Sequence, residues 1–143
     1  LEGDGAAMNE GLFDWSQLFL SSSGRLGRGP FLIAMTALIL ALLLFENAVP
    51  PVLREVLAIL FYPLLVFSSA CVLSKRLHDR GRSGWWAALI LLAFSVNWPQ
   101  PHGFWSLFAL VILWAVVELG LMPGEQGANR FGPNPSKTPA IAA

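Results

Sequence analysis

The side chains best equipped for chemistry sit in one short run, Arg76-Leu77-His78-Asp79-Arg80-Gly81-Arg82-Ser83-Gly84-Trp85-Trp86. With Lys75 it holds four of the nine basic residues of the 143-residue chain. Arg25 and Arg28 stand before the first long apolar segment, and Arg130 after the last. Guanidinium groups bind phosphate through paired N–H donors, and basic pockets at cytoplasmic helix ends bind anionic headgroups. One reading is therefore an anion site built by Arg25, Arg28, Arg76, Arg80, Arg82 and Arg130 around a phosphate or an anionic lipid headgroup. The plainer reading is structural pairing: Asp79 with Arg25 or Arg130, and Glu118 with an arginine reaching down to it. His78 beside Asp79 resembles a fragment of a catalytic pair. Sequence neighbours rarely orient one another as a proton relay needs, and no well-placed nucleophile accompanies them. With His102 as the other histidine, a zinc site is not expected. Cys71 lies in an apolar run; it permits no internal disulfide and reads as a small packing residue. No catalytic residue, metal or cofactor is expected.

The segments that must position this run are apolar. Hydrophobic residues make up 55% of the chain and charged residues 13%, against about 25% charged in a soluble domain. Such a composition cannot clothe a soluble surface, and it fits a chain whose solvent is lipid. A zero net charge without a long basic tract argues against a nucleic-acid partner.

Residues 1–8 precede or include Met8 and read as a cloning remnant or a disordered start, and no cleavable signal peptide is expected. Residues 9–135 form one membrane domain. It begins with a short amphipathic helix from Asn9 to Leu20, whose apolar face carries Leu12, Trp15, Leu18 and Phe19. That helix lies in the membrane interface or packs on the end of the bundle. Four spans follow, at about 31–49, 53–74, 85–98 and 104–122. Pro50 and Pro51 separate the first two, and Pro99 and Pro101 the last two. Pro63 predicts a kink. The third run has only 14 residues, ~21 Å of helix against a ~30 Å hydrocarbon layer. Trp85, Trp86, Trp98 and Trp105, with Trp15 before the spans, are placed as interface anchors. The Gly/Pro/Asn-rich tail from Pro123 makes turns, and residues 136–143 are expected to be disordered.

Four spans put both termini on one side. Arg25, Arg28, Lys75, Arg76, Arg80, Arg82, Arg130 and Lys137 then share that side, and only Arg54 faces the other. Eight cations against one place both termini and the basic run in the cytoplasm.

Three motifs in order carry a resemblance: Gly24-Arg25-Leu26-Gly27-Arg28, the run Arg76 to Trp86, and Gly127-Ala128-Asn129-Arg130-Phe131-Gly132-Pro133-Asn134-Pro135. Over roughly Phe13 to Pro135 the chain resembles the bacterial domain of unknown function 805 family, which comprises small inner-membrane proteins. Where the family usually follows its first arginine pair with an acidic or polar residue and then Phe-Trp, this chain has Gly29-Pro30-Phe31-Leu32. The resemblance implies no activity.

The expected fold is an all-α membrane protein: four transmembrane helices after a short N-terminal interfacial amphipathic helix, with both termini cytoplasmic. The expected function is non-enzymatic, an accessory or assembly subunit or scaffold of a membrane complex. Its partners would be membrane lipids, other membrane-protein subunits or a second copy. The alternative is a small oligomeric transporter or channel, for which Glu118 and Asn97 offer few polar groups.

Overall fold

Long runs without glycine or charge form helix, and the proline pairs interrupt it. A computed structural model describes residues 15–98 and 103–135, apart from the side chains of Trp15 and Trp105. Residues 1–14, 99–102 and 136–143 lie outside the described residues, and with them the expected start of the N-terminal helix with Leu12, the Pro99 and Pro101 break and the expected disordered tail. The described part is helical: α1 Trp15–Leu20, α2 Arg28–Ala48, α3 Pro51–Asp79, α4 Trp86–Asn97 and α5 Ala109–Ala115. Helix α5 continues a 3₁₀ stretch, Gly103–Phe108, and passes into a π-helical stretch, Val116–Leu121. Among the described residues there is no strand, only an isolated bridge between Asn129 and Gly132.

Two helices, α2 and α3, are long and apolar enough to cross a membrane. Helix α2 starts at Arg28 rather than Phe31, because Pro30 in a first turn needs no N–H partner. The 29 residues of α3 extend about 44 Å, well beyond a ~30 Å hydrocarbon layer. Pro63 lies inside α3 without ending it. The helix also runs further than the polar run suggested, since Lys75 to Asp79 are its last turns and not part of a loop. Arg76 and Leu77 are fully buried there, so helical packing, not polarity, decides the local structure. The helix stops at Gly81, in left-handed backbone at φ 71°. Gly81 N–H donates to His78 O at 3.0 Å and Arg82 N–H to Leu77 O at 2.8 Å; these are the two closing bonds of a Schellman terminus.

The last two apolar runs are shorter helices than the expected spans. Helix α4 has 12 residues. The run 104–122 is a rod of three geometries, and its final turn widens where its carbonyls are drawn to arginines of α2 and α3.

The core is gathered at the end carrying the motifs. Leu18, Phe31, Ala34, Val72, Leu73, Leu77, Ala87, Ile90, Ala115 and Leu119 form one buried cluster. Leu18 belongs to it and Phe19 packs against it, so α1 docks on the bundle, one of its two expected placements. Away from this end the outer faces are apolar and uncovered: Ile59 and Leu60 are each 76% exposed. Water would not tolerate so long an apolar surface, whereas lipid requires it. An apolar cavity of about 540 Å³ lies between α2, α3, α4 and α5 and reaches Glu46 and Tyr62.

Candidate functional site

The C-terminal end of α3 brings the three motifs together. Asp79, on its last turn, accepts from Arg25 through Oδ1 at 3.0–3.1 Å and from Arg76 through Oδ2. All three side chains are nearly sealed from solvent. Two buried cations on one carboxylate leave a positive excess, and main-chain carbonyls take it up. Arg25 donates to the carbonyls of Gly127 at 2.6 Å, Glu125 at 2.7 Å and Gly132 at 3.3 Å. Arg76 donates to Leu119 O and Met122 O, each at 2.7 Å, and to Leu26 O at 3.3 Å.

A second carboxylate, Glu118, sits in the π-helical turn. Its Oε1 accepts from Arg80 at 2.8 and 3.2 Å and from Arg82 at 3.3 Å. The Arg82 guanidinium also lies 5.5 Å from the Trp114 ring centroid. Arg80 reaches Pro123 O, and Arg28 reaches Leu121 O at 3.0 Å. Arg28, Arg76 and Arg80 together satisfy carbonyls between Leu119 and Pro123. These are the groups a helix C-terminus leaves without partners and where its dipole favours cations.

The tail closes the site. Glu125 N–H donates to Asp79 O at 2.7 Å. Asn129 Nδ2 donates to His78 O at 2.9 Å and to Glu125 Oε2 at 2.6 Å. Asn134, buried, donates to Glu125 O at 3.3 Å. A Cβ on Gly124 would overlap the Asp79 carboxylate, so the tail can pass that close only as glycine. His78 donates through Nδ1–H to Gly24 O at 3.0 Å and stacks on Phe131, with centroids 3.8 Å apart and planes 6° apart. Burial lowers the His78 pKa below the usual histidine value, and the nearby charge of Arg130 lowers it further; the Gly24 carbonyl works in the opposite direction.

The six arginines therefore do not ring one anion. Arg25, Arg76, Arg80 and Arg82 surround two carboxylates, and Arg28 is held by a carbonyl. Arg130 lies apart, its guanidinium 4.6 Å from the centroid of its neighbour Phe131. Asp79 takes Arg25 and Arg76, not Arg130. Trp85 and Trp98 are exposed, Trp86 lies 5.7 Å from Trp114, and the Trp15 and Trp105 side chains fall outside the described residues. Among the described residues no group of three His, Cys, Asp or Glu stands ready to hold a metal. Sequence reasoning missed Gly124 and Glu125, and it singled out Asn129 and Asn134 only as members of the third motif, without their contacts. Their signal was present: asparagines and glycines in a turn-rich tail bond locally to main chain.

The family described as Protein of unknown function (DUF805) matches residues 19–133. Uncharacterized protein YiiR of Escherichia coli (strain K12) is 34% identical over 126 residues, 81% of this chain and 86% of that protein. Inner membrane protein YhaH of the same strain is 37% identical over 79 residues, 54% of this chain and 52% of that protein. No solved structure matches the chain. The two apolar helices of crossing length and the inner-membrane relative agree on a membrane protein.

Proposed function

This chain belongs to the DUF805 family, and on that premise we propose that it is a non-enzymatic, four-span protein of the bacterial inner membrane. It serves as an accessory or assembly subunit or scaffold, within a larger complex or as a homo-oligomer. Its termini and the arginine cluster face the cytoplasm. The charge asymmetry supports this orientation, and the length of α3 lets its polar end project beyond a hydrocarbon layer.

The carrying observation is how the polar end is used. Asp79 and Glu118 are occupied by arginines from the first two motifs, and the remaining donors go to main-chain carbonyls, those of the third motif included. Such a cluster ties helix ends and tail into one piece. Both carboxylates are held by arginines, which favours a clasp over an active centre. A rigid polar face above an apolar body suits a subunit that positions others.

A second reading, a small oligomeric transporter or channel, draws on the interhelical cavity reaching Glu46 and Tyr62. Extraction from native membranes in mild detergent separates the two. The scaffold reading expects a defined assembly with a stoichiometric partner or a fixed copy number. Solute flux into liposomes containing this chain alone would instead support the transporter and count against the scaffold.

A further inference from the structure

Between the C-terminal half of α3 and α4 runs a groove of about 880 Å³, within the roughly 300–1,000 Å³ typical of ligand sites. Its two ends differ in chemistry. Ser22, Ser74, His78, Ser83 and Arg130 line one; Val66, Ala70, Ala88, Leu91 and Leu92 line the other. Trp85, 85% exposed, stands at the polar end, the depth at which tryptophan marks headgroups. The long axis thus passes from an interfacial mouth into the apolar layer.

The mouth carries a cation that lies against an aromatic ring and holds no carboxylate among the described residues. Arg25, Arg76, Arg80 and Arg82 each hold a carboxylate. Arg130 is exposed and makes no ion pair among the described residues. Its neighbour Phe131 is fixed by the His78 stack and by donating its N–H to Asn129 Oδ1 at 2.9 Å, so the cation sits on a prepared strut. Because His78 Nδ1–H is given to Gly24 O, the neutral ring keeps Nε2 as an acceptor. That atom lies on the Gly84 side, where a Cβ would come within 3.2 Å of it, and both residues line the groove.

We propose that this groove binds one anionic phospholipid, its phosphate diester on Arg130 and one acyl chain along Val66, Ala70, Ala88, Leu91 and Leu92. The assignment rests on the proposed placement of this end at the cytoplasmic interface. Charge and shape select the occupant. A free phosphate would use the mouth and leave the apolar floor empty. An apolar helix would leave Arg130 without a counter-charge. A zwitterionic lipid would bring an ammonium beside a guanidinium. A glycerol headgroup offers, in addition, hydroxyl donors to His78 Nε2.

The test titrates the full chain, purified in detergent, with dioleoyl phosphatidylglycerol and dioleoyl phosphatidylcholine, and counts bound lipid by native mass spectrometry. One phosphatidylglycerol is expected to be retained in preference to phosphatidylcholine. Arg130→Gln should weaken phosphatidylglycerol about fivefold, the worth of one basic residue at a membrane surface, and leave phosphatidylcholine unchanged. Arg130→Lys should recover most of the loss. Ala88→Phe, at an exposed groove position, should abolish retention of both lipids, with circular dichroism showing an intact helical fold; Ala88→Leu serves if the phenylalanine variant misfolds. The proposal is overturned if Arg130→Gln keeps the preference, or if Arg28→Gln, outside the groove, removes as much of it. It is also overturned if glycerol phosphate without acyl chains displaces the lipid, or if both Ala88 variants bind normally. The isolated chain is used throughout, so finding or missing a partner subunit in native membranes does not decide the result.

Discussion

At one end of the α2–α3 pair Glu46 meets Arg54 at 3.7 Å with side chains 29% and 31% exposed; at the other, Asp79 meets Arg25 at 3.0 Å with 4% and 1% exposed. The first pair is local. Glu46 and Arg54 flank the Pro50-Pro51 turn, Tyr62 also donates to Glu46, and Phe45 stacks on Phe61 with centroids 3.9 Å apart. Aromatic packing holds that end whether or not the ions meet. The second pair is non-local. It joins the segment before α2 to the end of α3, and through Arg25 to the tail carbonyls. Exposed ion pairs contribute about 0–1 kcal/mol, whereas deleting one member of a buried set leaves charge without compensation. Identical side-chain chemistry thus decorates a turn at one end and defines the cap at the other.

The largest break should come from Asp79→Asn. It strands Arg25 and Arg76 in a buried site, and a loss of about 3–5 kcal/mol is expected, read by denaturant unfolding in detergent micelles. Next is Gly124→Ala. The added methyl must displace the Asp79 carboxylate or the tail, at about 1–3 kcal/mol in the same assay. Glu46→Gln, the matched change at the other end, should cost less than about 1 kcal/mol; a loss equal to that of Asp79→Asn would erase the contrast.

The smallest effect belongs to His78. Its pKa is depressed in the folded state, chiefly by burial, so protonation favours unfolding. Its contribution is fully present above the ordinary histidine value of about 6.5. It is lost as pH falls from there toward the depressed value. The melting temperature should therefore drop more between about pH 7.5 and about pH 5.5 in the native chain than in His78→Phe, which keeps a ring against Phe131 and cannot titrate. Equal drops would remove His78 from the account.

Much of this was legible in the residues. Apolar runs broken by Pro50-Pro51 gave helices α2 and α3, and the run Arg76 to Trp86 pointed to the polar end. Pairing of Asp79 and Glu118 with arginines could be expected because a carboxylate among cations, or inside an apolar run, needs a partner. The expected span stops at about residue 74 because Lys75, Arg76, His78 and Asp79 are polar, and polarity suggests a loop. Burial of Arg76 against Leu119, Met122 and Leu26 carbonyls is a tertiary event that no local pattern encodes. The tail was read as turns without a destination, because main-chain acceptors such as Gly127 O and Glu125 O carry no side-chain signature. The π-helical turn at Val116–Leu121 was hidden for a similar reason. An apolar stretch reads as ordinary helix until the arginines drawing on its carbonyls are placed.

The central claim is that the arginine end is an internally satisfied clasp. A double-mutant cycle on Arg25→Gln and Asp79→Asn, with Arg54→Gln and Glu46→Gln as its counterpart, tests it most directly. The account predicts a coupling of about 2 kcal/mol or more for Arg25 with Asp79 and below about 0.5 kcal/mol for Arg54 with Glu46. An Arg25–Asp79 coupling as small as that of the outer pair would contradict it.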